Sequence, residues 1–223
     1  MSSVISALGV VVSCGLFSSA LPATLRARKA GALSEDPTPA AVTLINCLIW
    51  ILYASVIGDV WIFGGCICGV FCNAFNTCVA IRLADRETAQ RIETIVCVGL
   101  TMVAVSVMVL GSSVVIPDAE VRVRLLSNLC QAICLAMFAS PLVQSWQAMA
   151  SRDASRINSA LTAMQLLNGI LWTTTGLIRQ DRTLVVPNGA SIALALVNLI
   201  VKLSLGRRAK PRGPATKVVA VGA

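Results

Sequence analysis

The sequence contains no histidine, and only 13% of its residues are charged. Without histidine, the side chain that most often moves protons near neutral pH and ligates metals is missing. The ten acidic residues do not replace it. Glu35, Asp36, Asp59, Asp85, Glu87, Glu93, Asp118, Glu120, Asp153 and Asp181 all fall in loops or at the ends of apolar runs. No apolar run carries a charged residue in its middle, where ion-coupled carriers, proton pumps and intramembrane proteases need one to move charge or activate water. With no triad and no acid–base pair either, an enzyme is not expected. What these absences leave is a chain suited to neutral cargo moving down its own gradient.

Polar residues of every kind are too few for a water-soluble shell. Hydrophobic residues make up 57% of the chain, and the mean hydropathy is +0.82. Lipid is the solvent that such a composition fits, since about 20 consecutive apolar residues span its hydrocarbon layer. Seven apolar runs can be counted, at about 4–25, 40–57, 60–81, 94–116, 125–149, 158–178 and 183–205. The net charge of +8 does not indicate nucleic acid, because the basic residues lie between the runs and in the tail. Counting lysine and arginine by loop gives 14 on the side of the C-terminus and 4 on the other. By the positive-inside rule the N-terminus is outside and the C-terminus cytoplasmic. Residues 206–223 read as a basic cytoplasmic tail.

All nine cysteines (Cys14, Cys47, Cys66, Cys68, Cys72, Cys78, Cys97, Cys130 and Cys134) lie inside apolar runs. An odd number with none in a loop argues against a disulfide framework. Cys66-x-Cys68 and Cys130-x3-Cys134 lack the histidine or carboxylate partners that metal sites usually recruit. No metal and no cofactor are expected. The N-terminus has no basic stretch and no small-residue cleavage site, so the first run is expected to be retained.

The runs repeat. Asn46 and Asn168, Trp50 and Trp172, and Asp59 and Asp181 are each 122 residues apart, and Pro22 and Pro141 are 119 apart. Each triplet reads as a proline-bearing helix, a helix with Asn-x3-Trp, a short turn with Asp, and a third helix. The expected fold is an all-α membrane protein with seven transmembrane helices. Residues 4–81 and 125–205 form two parallel three-helix repeats, joined by a linker helix at 94–116 (3+1+3). Parallel repeats of this kind place a substrate site at their interface, near the middle of the bilayer.

This arrangement, with Ser140-Pro141-Leu142, the run NCLIWILYA, LNGILW followed by GLI, and D-x5-P-N-G at Asp181 to Gly189, resembles the SWEET (MtN3/saliva) sugar transporters. The resemblance covers roughly Gly15 to Lys202 and is more specific in the second half. It implies bidirectional facilitated diffusion of a mono- or disaccharide by alternating access, with no cofactor. It also implies a plasma-membrane location first, with endomembranes as the other option, and leaves a homo-oligomer open.

By the same resemblance, Asn188 matches the seventh-helix asparagine that bonds sugar hydroxyls, and its amide offers both donors and acceptors to a polyol. Trp172 and Trp50 match the residues that stack on the sugar ring, an aromatic face against C–H groups. Asn168 and Asn46 match positions that set cargo size, and their bulk favours a hexose over sucrose. Ser18 and Met137 match a further pair. The asparagine expected on the third helix is missing: Cys66 stands there if the Asp turns are aligned, Gly64 if the glycines are. Asn73, on the same helix face seven residues on, is a candidate to compensate. Of four expected hinge prolines, Pro22, Pro39 and Pro141 match, while the fourth position reads Asn158.

Two rival readings remain. One keeps the fold and carries another small neutral solute or an amino acid, as PQ-loop relatives do, although no Pro-Gln dipeptide occurs. The other is a non-transporting membrane scaffold. Proline frees backbone bonds and lets a spanning helix bend. Pro141→Ala is therefore expected to slow sugar uptake in a cell-based assay, and unchanged uptake would remove the hinge assignment.

Overall fold

The computed structural model describes residues 2–33, 36–137, 139–154 and 157–208. The basic tail beyond Arg208 lies outside them. Among the described residues the regular structure is all helical: α1 (Ser2–Ser18), α2 (Leu21–Ala30), α3 (Thr38–Ile57), α4 (Val60–Leu83), α5 (Arg86–Leu110), α6 (Ala119–Met137), α7 (Ala139–Ser151), α8 (Ser159–Arg179) and α9 (Arg182–Arg208).

Two of the expected runs are each two helices. The first breaks after Ser18, and α2 starts again with Pro22 in its opening turn. Proline cannot donate to the preceding turn but is tolerated where a helix begins. The fifth run divides likewise into α6 and α7, with Pro141 third in α7; the side chain of Pro141 lies outside the described residues. Pro39 is the second residue of α3. Asn158, at the fourth hinge position, caps α8 instead, its Oδ1 accepting from the backbone N–H groups of Ala160 and Leu161, both at 3.1 Å.

The linker helix also differs from the reading of hydropathy. It begins at Arg86 rather than near residue 94, taking in most of a mixed-charge stretch that reads as a loop, and it ends at Leu110. The cause is Asp85, whose carboxylate accepts from the Thr88 backbone N–H and hydroxyl, both at 2.9 Å. Capping of this kind starts a helix whatever its polarity. The backbone bond from Thr88, then its hydroxyl, hold the Asp85 carboxyl below the usual range. In the loop before α3, partial burial works to raise Asp36, but bonds from Thr38 and the Arg91 guanidinium outweigh it and hold the carboxyl low.

Five stretches are long and apolar enough to cross a membrane: Ser3–Ala30 (α1 and α2 together), Thr38–Ile57, Val60–Leu83, Arg86–Leu110 and Arg182–Leu205. α8 has the length, but Gln165, Asn168 and four threonines dilute its hydropathy. Large apolar side chains face outward along the bundle, with Phe71 and Met108 each 71% exposed. Such a surface is stable against lipid and costly in water.

Packing follows one pattern twice. α4 lies against α1, α2 and α3; α9 lies against α6, α7 and α8. Across the middle, α1 meets α8 and α3 meets α6. Exchanging α1, α3 and α4 for α6, α8 and α9 maps each of these contacts onto another. α5 stands outside that exchange, mainly against α3. The largest core cluster includes Ile49, Trp50, Tyr53, Leu126, Cys130, Trp172 and Leu184, so it draws on both halves.

α5 seats on α3 at Gly99, where an added Cβ would collide with the Ile45 side chain. Overpacking a contact of this kind costs about 1–3 kcal/mol. Gly99→Val is expected to lower the thermal unfolding midpoint in detergent, and an unchanged midpoint would mean that α5 is free to shift away.

Candidate functional site

At mid-height α1, α4 and α8 converge on one indole. Trp172 is 6% exposed, and its Nε1–H donates to the Ser13 hydroxyl at 3.0 Å. Ser13 in turn donates to Asn168 Oδ1 at 2.7 Å. This relay joins the first half to the second and satisfies every step with a partner of the right kind. The ring fits because Gly9 and Gly65 have no side chains: an added Cβ would lie 3.2 Å and 3.1 Å from it.

The mirror-related region is built differently. Trp50, also 6% exposed, packs edge-on to Tyr53 with ring centroids 5.8 Å apart. Asn46, one turn earlier, is 8% exposed, and its buried Oδ1 has no hydrogen-bond partner. The adjoining part of α6 supplies Leu126, Cys130 and Ile133, where α1 supplies a serine to Asn168. The Cys130 thiol is directed to the Ile49 backbone oxygen at 3.8 Å. Cys66 is half-buried and packs against the same cluster.

Other expected site residues are engaged locally. The Asn188 amide nitrogen donates to the Leu184 carbonyl at 2.8 Å, one turn back beside Pro187, and the Asn188 side chain is partly exposed. Asn73 makes the same bond to the Gly69 carbonyl at 2.9 Å and is buried, so its amide nitrogen is already used inside α4. Ser18 donates to the Gly15 carbonyl at 3.1 Å. Met137, the last residue of α6, is half-buried. The structure thus brings Trp172, Asn168, Trp50 and Cys66 to the seam.

The helix ends next to the two Asp turns carry groups that hydropathy and spacing do not single out. Asp59 Oδ1 accepts from the Trp61 and Ile62 N–H groups at 2.9 and 3.1 Å, capping α4. Its Oδ2 pairs with the Arg179 guanidinium of α8, which also donates to Ser6 of α1 at 3.2 Å. Asp181 Oδ1 likewise accepts from the Thr183 N–H at 2.8 Å, and its Oδ2 accepts from the Tyr53 hydroxyl of α3 at 3.0 Å. Thr183 and Ser127 share a 2.6 Å hydrogen bond, and Gln131 donates to Ser127 at 3.1 Å, which extends the tie into α6. The usable signals were the lone tyrosine and an arginine at the end of an apolar run.

Arg179 and Asp59 are partly screened, with side chains 24% and 12% exposed. Arg179→Met leaves the Asp59 carboxylate without its cation, at a cost of about 1–3 kcal/mol for a charge-assisted bond. The thermal midpoint is expected to fall, and a midpoint equal to that of the parent protein would show that the pair contributes nothing to stability.

Comparison with known proteins agrees with this architecture. A family described as "Sugar efflux transporter for intercellular exchange" (MtN3_slv) matches residues 3–88 and again residues 124–208. The rice protein "Bidirectional sugar transporter SWEET7b" (Oryza sativa subsp. indica) is 27% identical over 201 residues, spanning 86% of this chain and 73% of its own. "Bidirectional sugar transporter SWEET4" from the same source is 28% identical over 203 residues, spanning 87% and 77%. The solved structure "The 3.7 A resolution structure of a eukaryotic SWEET transporter" superposes with a TM-score of 0.82 at 22% identity, covering 92% of this chain and 97% of that one. With the family unit matched twice and these helices apolar enough to cross lipid, the chain is a multi-pass integral membrane protein that belongs to the SWEET (MtN3/saliva) family of transporters.

Proposed function

We propose that this protein is a bidirectional, facilitative carrier of a small sugar, working by alternating access between two parallel three-helix repeats joined by α5. The N-terminus lies outside, and the ends near Asp59 and Asp181 form the outer gate. The plasma membrane is the proposed location. A hexose suits the seam better than sucrose, because Asn46 and Asn168 both occupy room that a second ring would need.

The buried, unpartnered Oδ1 of Asn46 is the observation that supports this reading most directly. An acceptor held mid-span without a donor costs about 1–3 kcal/mol, and such a cost is ordinarily tolerated at a functional site. A sugar hydroxyl is a donor of the right size and charge. On the other side of the seam Asn188 is half-buried next to Pro187, inside α9, with its amide nitrogen bonded one turn back to the Leu184 carbonyl. Neither group titrates, which suits uniport of a neutral solute.

The test is uptake of labelled glucose, fructose and sucrose by cells lacking their own hexose carriers. Hexose uptake is expected, with sucrose slower, and Asn188→Ala should remove most of it. Asn46→Leu adds a second readout: it should cut uptake while raising the unfolding midpoint of the empty protein, because the orphaned carbonyl is gone. No uptake of any of the three sugars would sink the proposal, and Asn46→Leu with full uptake would remove Asn46 from the site.

A further inference from the structure

One buried stretch of α4 is polar where its surroundings are not. Asn73, Asn76 and Thr77 share one helix face, and they are 7%, 5% and 3% exposed. The Asn73 amide nitrogen is bonded to the Gly69 carbonyl. Asn76 has no partner at either end of its amide, and the Thr77 hydroxyl has none. The stretch lies inside the first half. α4 packs mainly on α3 and α1, and also on α2 and α5. Gly65, where α4 lies against Trp172 of the other half, is about three turns away.

The second half shows what an asparagine does at this place. Asn198 of α9 stands 122 residues after Asn76, the offset that also relates the Asn, Trp and Asp pairs. It is 7% exposed, and its Oδ1 accepts from the Ser145 hydroxyl of α7. α2 stands to α4 as α7 stands to α9, yet it returns no such donor. Its Ala27 is buried and its Ala23 half-buried, while the Thr24 hydroxyl is used on the Ala20 carbonyl at 3.2 Å. Hydroxyls on the adjoining helices are spent in the same way: Thr43, Ser18 and Thr94 each donate to a carbonyl of their own helix. A buried amide without partners is costly, so a group from outside the chain is called for. It must donate to Oδ1, accept from Nδ2, and fit where an alanine replaces a hydroxyl-bearing residue. Water meets all three needs. α4 ends seven residues on, at Leu83, beside Arg82, Asp85 and Arg86, so solvent is about 10 Å away along the helix.

We propose that Asn76 holds an ordered water between α4 and α2, with the Thr77 hydroxyl as a further partner. The water takes the part in the first half that the Ser145 hydroxyl takes in the second. The two joints are then alike in hydrogen bonding and unlike in permanence, since a water exchanges and a side chain does not. The site is independent of the carrier reading, because it lies within one half, away from the seam.

The test is radiolytic footprinting of the purified full chain, in detergent equilibrated with oxygen-18-labelled water. An X-ray pulse turns a bound water into hydroxyl radical, which oxidises the side chains beside it before it can diffuse. Cys72 lies one turn before Asn76 and is 8% exposed, so radicals from bulk solvent reach it poorly. It is expected to take up the heavy oxygen at a rate comparable to that of Met149, which is 44% exposed. In an Asn76→Leu/Thr77→Val double variant the Cys72 label should fall several-fold while that of Met149 stays. Gel filtration identifies a variant that misfolds, and Asn76→Leu alone then takes its place. An unlabelled Cys72 in the parent protein, or a Cys72 label that persists in the variant, would overturn the proposal.

Discussion

Inside a bilayer an unpartnered polar group is costly, so a hydroxyl, amide or indole N–H in a span gains by meeting another group of the bundle. That constraint explains the seam at its best-fitted point. Trp172 Nε1 gives its proton to Ser13, and Ser13 gives its own to Asn168. Gly9 and Gly65 are glycines because the ring occupies the space that their side chains would take. One aromatic residue on α8 thus dictates residue size on α1 and α4, and with it how closely the halves approach.

The mirror-related part of the seam obeys the same rule less completely. Trp50 finds an aromatic partner in Tyr53, but Asn46 keeps a buried, unpartnered oxygen. Cys66 or Gly64 stands where the resemblance calls for an amide, and the nearby Asn73 bonds the Gly69 carbonyl as Asn188 bonds that of Leu184. Duplication therefore gave two similar frames, and the two have since been fitted out unequally. In the carrier proposed above, the well-satisfied wall would position a ligand, while the under-satisfied wall would make it choose among ligands.

Much of the frame was legible because it depends on hydropathy and on rare residues at equal offsets. The pairs Asn46 and Asn168, Trp50 and Trp172, and Asp59 and Asp181 mark a repeat at a constant offset of 122 residues. Helix limits were less legible, since they turn on single capping bonds that no apolar window registers. Asp85 starts α5 eight residues before the apolar run does, and Pro22 splits a run that looks continuous. The partners of side chains were least legible. Ser13 looks like any small residue in a span, and only the packing of α1 on α8 shows what it holds. Likewise only the crossing of α1 on α4 shows that the Cys68 thiol reaches the Cys14 carbonyl.

In the carrier proposed above, the two aspartates would let such a frame move without coming apart. Each divides its carboxylate between two duties. Oδ1 of Asp59 caps α4 while Oδ2 reaches Arg179 in the other half; Oδ1 of Asp181 holds the start of α9 while Oδ2 reaches Tyr53. The bonds within a half are short-range and survive any rigid-body motion of that half. The bonds between halves run through the second oxygen, in two places, on opposite sides of the pseudo-twofold exchange. Rocking the halves apart would break those crossing bonds together and leave both helix caps intact. Each released oxygen would then meet water at the opened end, which offsets most of its lost partner. Closure would be reversible because the groups that order the helices are not the groups that are given up.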